Sequence, residues 1–385
     1  MVMEKYELRL PKTVFSGVNA LNKIGDIVKG TYKKVAIFTD KGIEKAGLLE
    51  EPLKIIKSKS LEVEILNSIP SEPGCDEAQL IIERFYKTGA DLIVAVGGGS
   101  VMDVAKLASV IDVNKYNVRD IIDNQELGKK RIPTLMIPTT AGTGSEATMN
   151  SIVAIPEKMM KVGIVNPEMI PDYVILDGSM IKHLPKKIAA STGIDALCHA
   201  IECYTSLKAN PFSNLFALES TRLIIKNIEK ACTDEEALEE KTNMLLAAFY
   251  AGVAITSSGT TAVHALSYPL GGKYHIPHGI SNAMLLLPVL KYNRSMCEMD
   301  YAKLYDAING EKEPGHVKEK ADCFLMQIEE IIRSLEIPNS LREYGVDEAS
   351  LHDIIEAAMD VKRLLNNNKR NLTYEDAKKI YMEIM

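Results

Sequence analysis

The amino-acid sequence predicts two domains: an α/β domain on a parallel sheet over residues 1–185 and an all-α domain over residues 186–385. Three observations carry this prediction. The chain has 385 residues, more than the roughly 250 to 300 at which a single hydrophobic core stops growing. Its first half alternates short β-branched runs with helical patterns, as strands joined by crossover helices do. After Leu184-Pro185 the alternating runs disappear and long helical periodicities take over.

In chain order, Lys34–Thr39 reads as a strand, residues 42–57 as the helix that follows, and Leu61–Leu66 as the next strand. Residues 78–87 are helical in pattern. Ala90–Val96 is a wholly apolar strand that runs into Gly97-Gly98-Gly99-Ser100, with a helix over 101–110 behind it. Further strands are expected at Thr134–Pro138, Ser151–Ile155 and Tyr173–Leu176. In the second half, helices are expected over 188–205, 214–231 and 237–256, with an apolar helix from near Ala251 carrying His264 and another just after His278. The sequence has no repeat or low-complexity linker, so the two domains are expected to pack closely and leave a cleft, a common place for a ligand.

Composition narrows the function. Apolar residues make up 46% and charged residues 25%, close to ordinary globular averages. A net charge of -7 and a pI near 5.7 argue against a nucleic-acid partner, which would call for a concentrated basic face. The opening MVMEKYELRLPK puts charges where a signal peptide needs apolar residues. The longest apolar stretch, Met244–Ile255, falls short of the ~20 residues that span a bilayer. A cytoplasmic protein without a membrane anchor is the expectation. Six cysteines without CxxC pairs suit a reducing compartment and offer no thiolate zinc site.

Three segments of the first half suit a nucleotide. Gly97, Gly98, Gly99 and Ser100 join a strand to a helix with Asp103 in its first turn. This places backbone N–H groups and a positive helix end where a pyrophosphate can approach. Asp40 ends the Lys34–Thr39 strand, where a carboxylate can accept ribose hydroxyls and repel a 2′-phosphate, favouring NAD over NADP. Pro138–Glu146, with Thr139, Thr140 and Ser145, supplies hydroxyls after another apolar strand. Each segment also has a structural reading: a tight turn for the glycines, a helix cap for Asp40 and a polar surface turn for the last.

The second half carries potential metal ligands. Asp195 and His199 lie four apart in a helical pattern, so they leave one face a turn apart. His264 sits among aliphatic residues and His278 beside a turn, positions where a lone histidine is ordinarily a core or surface group. One carboxylate and three imidazoles together make a first shell for a divalent transition metal, with zinc above ferrous iron in affinity. The ligand types leave the two metals open.

These stretches resemble one family, the iron-containing (group III) alcohol dehydrogenases. The motifs are Gly97–Lys106 (GGGSVMDVAK), Pro138–Glu146 (PTTAGTGSE), Gly193–Glu202 (GIDALCHAIE) and Tyr274–Gly279 (YHIPHG), in that order along nearly the whole chain. The resemblance implies a Rossmann-like dinucleotide-binding domain before a helical domain, in a dehydroquinate synthase-like architecture. It implies metal ligands at Asp195, His199, His264 and His278, with Fe2+ or alternatively Zn2+ bound. It places NAD at Gly97–Ser100, Asp103, Thr139, Thr140 and Ser145, with Lys161 near the nicotinamide ribose, and it suggests a homodimer or larger assembly. The implied reaction transfers hydride between a small primary alcohol, diol or hydroxyacid and NAD, the metal acting as a Lewis acid.

One position departs from the family pattern. Many members carry a further histidine four residues after the one matching His264, and here that residue is Tyr268. A phenol titrates near pH 10 and carries protons poorly at neutral pH, so Tyr268 and His275 are both candidate relays. Two rival functions are weaker. A polyol-phosphate dehydrogenase or synthase of the same superfamily would need cations near the metal motifs, yet Ile188–Tyr204 has none and His264–His278 only Lys273. A catalytically silent scaffold has no use for an intact ligand set and glycine loop.

Overall fold

The computed structural model describes residues 5–158, 160–310 and 315–385. The chain divides into two compact units, Arg9–His183 and Leu184–Met385, and the described residues up to Leu8 group with the second.

The first unit runs β1 (Thr13–Ser16), α1 (Lys23–Val28), β2 (Lys34–Phe38), α2 (Lys41–Lys45), α3 (Glu50–Lys57), β3 (Glu62–Leu66), α4 (Cys75–Thr88) and β4 (Leu92–Gly97). It continues through α5 (Gly99–Val110), α6 (Val118–Asp123), β5 (Thr134–Pro138), β6 (Asn150–Ile155), β7 (Met160–Val165) and β8 (Tyr173–Leu176). Six strands pair in parallel in the order β1-β8-β5-β4-β2-β3. The middle strand β4 is buried along its whole length, so both faces must be covered and its sequence reads as one apolar run. Val35, Ile37, Val94, Val96, Leu135 and Ile137 gather on one face with Ile24, Val28 and Ile56 of α1 and α3. On the other face Phe38 meets Phe85 of α4 edge to face at 5.4 Å.

The structure revises several expectations here. The helix expected over 42–57 breaks into α2 and α3 because Gly47 takes a left-handed φ of 75°. The strand at 151–155 forms, but in a separate antiparallel hairpin of β6 and β7, with Val153 facing Val162. Two strands escape the sequence pattern. β1 is four residues long, too short for a period-2 signal, and β7 carries Gly163, a strand-weakening residue.

The second unit is helical: α7 (Lys186–Thr205), α8 (Pro211–Thr233), α9 (Leu238–Ser257), α10 (Ala262–Tyr274) and α11 (His278–Asn309), then α12 (Val317–Ser334), α13 (Leu351–Met359), α14 (Lys362–Leu365) and α15 (Tyr374–Met382). The apolar helix expected to run from Ala251 through His264 is instead two helices, α9 and α10, bent by 104°. Gly259 turns the chain there with φ 90°. His278 opens α11 rather than preceding it. Glycine allows the backbones of α7 and α11 to meet: a Cβ on Gly279 would lie 2.5 Å from the Ser191 carbonyl oxygen. Gly193 likewise lets α7 rest on Ile228 of α8 and Met244 of α9. Among the described residues no single helix is long and apolar enough to cross a membrane.

Candidate active site

In the first unit, three sequence-flagged segments emerge at the carboxyl ends of the adjacent strands β2, β4 and β5, the edge where open α/β sheets bind ligands. The Thr139 N–H donates to the Gly97 carbonyl at 3.0 Å, extending the ladder into the loops. The glycines are required by close approach. A Cβ on Gly97 would lie 2.6 Å from Val101 Cβ, and one on Gly99 would lie 2.9 Å from the Thr143 hydroxyl. Thr139 keeps a buried hydroxyl without a partner.

Other candidates in this unit already have intramolecular partners. Asp40 Oδ1 accepts the N–H groups of Gly42 and Ile43 at 2.7 and 2.9 Å, the cap geometry for α2. Ser100 donates its hydroxyl to the Ser71 carbonyl. Ser145 donates to Asp103 Oδ1 at 2.5 Å, while Asp103 Oδ2 accepts the Ile152 N–H at 3.0 Å. Lys161 pairs with Glu72 at 2.6 Å.

Behind these loops lies a buried ion cluster that the sequence did not disclose. Lys106, fully enclosed, reaches Asp103 Oδ1 at 3.2 Å, the Ser145 carbonyl at 3.0 Å and the Asn150 carbonyl. Glu146 leaves Oε1 buried without a partner. Burial pushes its carboxyl up to about 7 from the usual 4.5, outweighing a backbone hydrogen bond and, after it, the pull of Lys106. The folded protein thus holds a proton that the unfolded chain releases, so stability should fall as pH rises from about 4.5 to 7, by roughly 3 kcal/mol. Glu146→Gln should flatten that slope, gaining on the parent more at pH 8 than at pH 5 in urea midpoints. A stability difference that is the same at both pH values would contradict this.

In the second unit, α7 presents Asp195 and His199 one turn apart, and α10 brings His264 to them. One ligating atom from each of these three buried residues lies within 4.8 Å of the others. The rings of His199 and His264 stack with centroids 4.5 Å apart. His278 at the start of α11 joins at the rim, its Nε2 3.7 Å from Asp195 Oδ1 and its side chain 37% exposed. The spacing of Asp195 and His199 was legible on one helix, while the fold brings His264 and His278 to them from two others.

Two further residues complete the cluster, and sequence reasoning assigned neither. Glu202, on α7 one turn past His199, accepts through Oε1 from the Thr261 N–H at 3.1 Å, the Thr261 hydroxyl at 2.8 Å and the Val263 N–H at 2.7 Å. Its Oε2 contacts His264 Nδ1. Burial opposes ionisation of Glu202, but His264 and these donors win and hold the carboxyl below its usual range. Asn282, on α11 one turn past His278, turns its Nδ2 toward Asp195 Oδ1 at 2.6 Å and toward Nε2 of His264 and of His278 at 3.1 Å each. The available signals were spacings: three residues from His199 to Glu202, four from His278 to Asn282.

The donor set fits a divalent cation. His264 Nδ1 donates to Glu202, which turns Nε2 inward; burial opposes a charge on the ring, but the same carboxylate raises its pKa, so a bound ion would take the place of a proton on Nε2. Burial drives His199 down to about 4, so its ring is neutral near pH 7 and keeps a lone pair. His199 Nδ1 is itself buried without a partner. The only donor among these inward-facing atoms is the Asn282 amide, and a cation is what the converging lone pairs and carboxylate otherwise lack.

The relay candidates differ in placement. Tyr268 is 38% exposed as a whole and lies with its ring 6.1 Å from that of His278, and desolvation around its hydroxyl pushes the phenol upward. His275 is exposed at the left-handed end of α10, with φ 54°. No ring contact joins it to the cluster among the described residues.

Comparison with known proteins gives matching results for both units. Residues 11–178 match the family described as iron-containing alcohol dehydrogenase. Residues 189–385 match the C-terminal part of the Fe-containing alcohol dehydrogenase family. A long-chain-alcohol dehydrogenase of Geobacillus thermodenitrificans is 33% identical over 353 residues, 91% of this chain and 89% of its own. The crystal structure of a 1,3-propanediol oxidoreductase superposes with a TM-score of 0.92 at 28% identity, covering 99% of this chain and 100% of its own. Sulfoacetaldehyde reductase of Bifidobacterium kashiwanohense, solved with NAD+, superposes with a TM-score of 0.88 at 25% identity over 99% of each chain.

Proposed function

The chain belongs to the iron-containing alcohol dehydrogenase family, and from that premise we propose an NAD-linked enzyme, dependent on iron or alternatively zinc, acting on a small primary alcohol, diol or hydroxyacid and its aldehyde. The observation that carries this reading is the convergence of Asp195, His199 and His264 from two helices onto one point. In this proposal residues 1–185 hold NAD through the Gly97–Ser100 turn, Thr139 and Thr140, with Asp40 toward the ribose. Asp103 and Ser145 brace those loops, and Lys161 lies on the adjoining hairpin. Residues 186–385 hold the metal and substrate. The proposed enzyme works in the cytoplasm as a homodimer or larger assembly.

A divalent ion held by Asp195, His199, His264 and His278 would supply Lewis-acid polarisation of the substrate oxygen, and NAD would accept the hydride. The protein's own groups set the conditions. Asp195 contributes the carboxylate beside the neutral ring of His199, and Glu202 fixes the ring of His264. Tyr268, its phenol pushed up by burial, stays protonated near neutral pH and can donate a hydrogen bond beside His278. His275 is the second relay candidate.

An aldehyde panel tests the proposal: short and long aliphatic aldehydes, a hydroxyaldehyde and an anionic aldehyde, each with NADH or NADPH and with added Fe2+ or Zn2+. The anionic member is included because Arg363 has no ion-pair partner among the described residues, and its charge acts on the Tyr268 hydroxyl more strongly than any other. Metal-dependent NADH oxidation with at least one aldehyde is the expected result. A protein that binds metal and NADH yet reduces none of them would refute the reading.

A further inference from the structure

Asn282 is fully buried, and its hydrogen bonding is lopsided. An amide has two N–H donors and a carbonyl acceptor. Here the nitrogen faces three acceptors, at 2.6, 3.1 and 3.1 Å, while the carbonyl oxygen is buried with no partner. A buried side chain normally turns so that both ends are satisfied. This one gives up its acceptor to aim its donors at the cluster. The reverse orientation would set a carbonyl oxygen against the Asp195 carboxylate, and the Asp195 contact is the one that would persist with an ion bound, because the Nε2 lone pairs of His264 and His278 are those the ion would take.

The position of Asn282 in the fold explains its purpose. His278 and Asn282 share one face of α11, and Asp195 belongs to α7. Those two helices approach closely enough that Gly279 tolerates no Cβ. The Cys198 thiol on α7 also reaches the Asn282 carbonyl on the main chain of α11, at 3.7 Å. His278 is the most exposed member of the set. We propose that Asn282 is a positioning residue of the metal centre: its amide ties Asp195 of α7 to the histidine-bearing turn of α11 and so holds His278 in reach of the ion. The inference rests on the ligand set proposed above. It extends that set by a residue that touches the ligands and supplies none itself.

The test is metal binding, read without turnover. Protein stripped of metal is titrated with Co2+ and with Zn2+, following the visible Co2+ spectrum and the dissociation constant, in the parent chain, Asn282→Leu and Asn282→Ala. The leucine variant keeps the branched shape of the side chain, with more bulk, and removes the donors together with the unpartnered carbonyl. Both variants should bind 10- to 100-fold more weakly, the usual loss for outer-shell partners, with an altered Co2+ spectrum that reports the changed hold on His278. Parent-like affinity and spectrum in Asn282→Leu would overturn the proposal, because packing alone would then explain the residue. If Asn282→Leu does not fold, Asn282→Ala decides by the same two readings. His278→Ala separates this inference from the one beneath it. An unchanged Co2+ spectrum in that variant removes His278 from the ligand set and takes the role of Asn282 with it, leaving the three-residue cluster standing.

Discussion

His264→Ala is expected to reduce aldehyde reduction by at least about 1,000-fold, equal to roughly 4 kcal/mol of lost transition-state stabilisation, while NADH still binds. Two effects combine. The variant loses an inward lone pair at a buried point where Asp195 and His199 supply the other converging atoms. It also strands Glu202, whose Oε2 has His264 Nδ1 as its contact, and a buried carboxylate without its partner is costly. Three measurements check this: kcat with the best aldehyde of the panel, metal content by atomic emission, and NADH affinity by fluorescence. Near-parent turnover with metal still bound would refute the ligand assignment. Parallel loss of NADH binding would mean that the substitution had damaged more than the metal centre.

The sequence disclosed whatever lay within one element and little of what crosses between elements. The run ending in Gly97-Gly98-Gly99-Ser100 announced a buried strand and its turn because apolar residues and glycines are contiguous there. The pair Asp195 and His199 was legible because four residues make one helical turn. The same local reasoning failed between Ala251 and His264. The residues are apolar throughout and look like one helix, but Gly259 and the cap that Glu202 supplies from α7 break it in two. The resemblance to a family named His264 and His278 as ligands, yet no spacing could show that α10 and α11 converge on α7. The nucleotide loops show the opposite limit. Asp103, Ser145 and Asp40 are residue types that contact nucleotides and also residue types that brace loops, and only the fold shows them bonded to Ile152, to each other and to the start of α2. Lys106 reads as an ordinary surface lysine and is fully buried, because its counter-charge and carbonyl partners come from the same helix and from a segment some 40 residues on.

Glu202 separates two consequences that His264→Ala confounds. Its Oε1 satisfies the first N–H groups of α10, which the Thr261 side chain leaves uncapped, and helix N-termini favour such a negative group. Its Oε2 fixes the proton of His264 on Nδ1. Glu202→Gln can keep an oxygen for the backbone donors but must turn an NH2 group toward His264. The imidazole then accepts at Nδ1 and carries its proton on Nε2, the nitrogen that a metal would need. Glu202→Gln should therefore weaken metal binding by at least 10- to 100-fold while leaving the fold close to parent stability. Glu202→Ala leaves buried donors unpaired on both sides, at about 1 to 3 kcal/mol for each group, and should lower the midpoint of thermal unfolding as well as metal affinity. Differential scanning calorimetry beside Zn2+ titration distinguishes the two variants. If Glu202→Gln bound metal as tightly as the parent, the carboxylate would serve only as the cap of α10, and the tautomer of His264 would have to be set by something else.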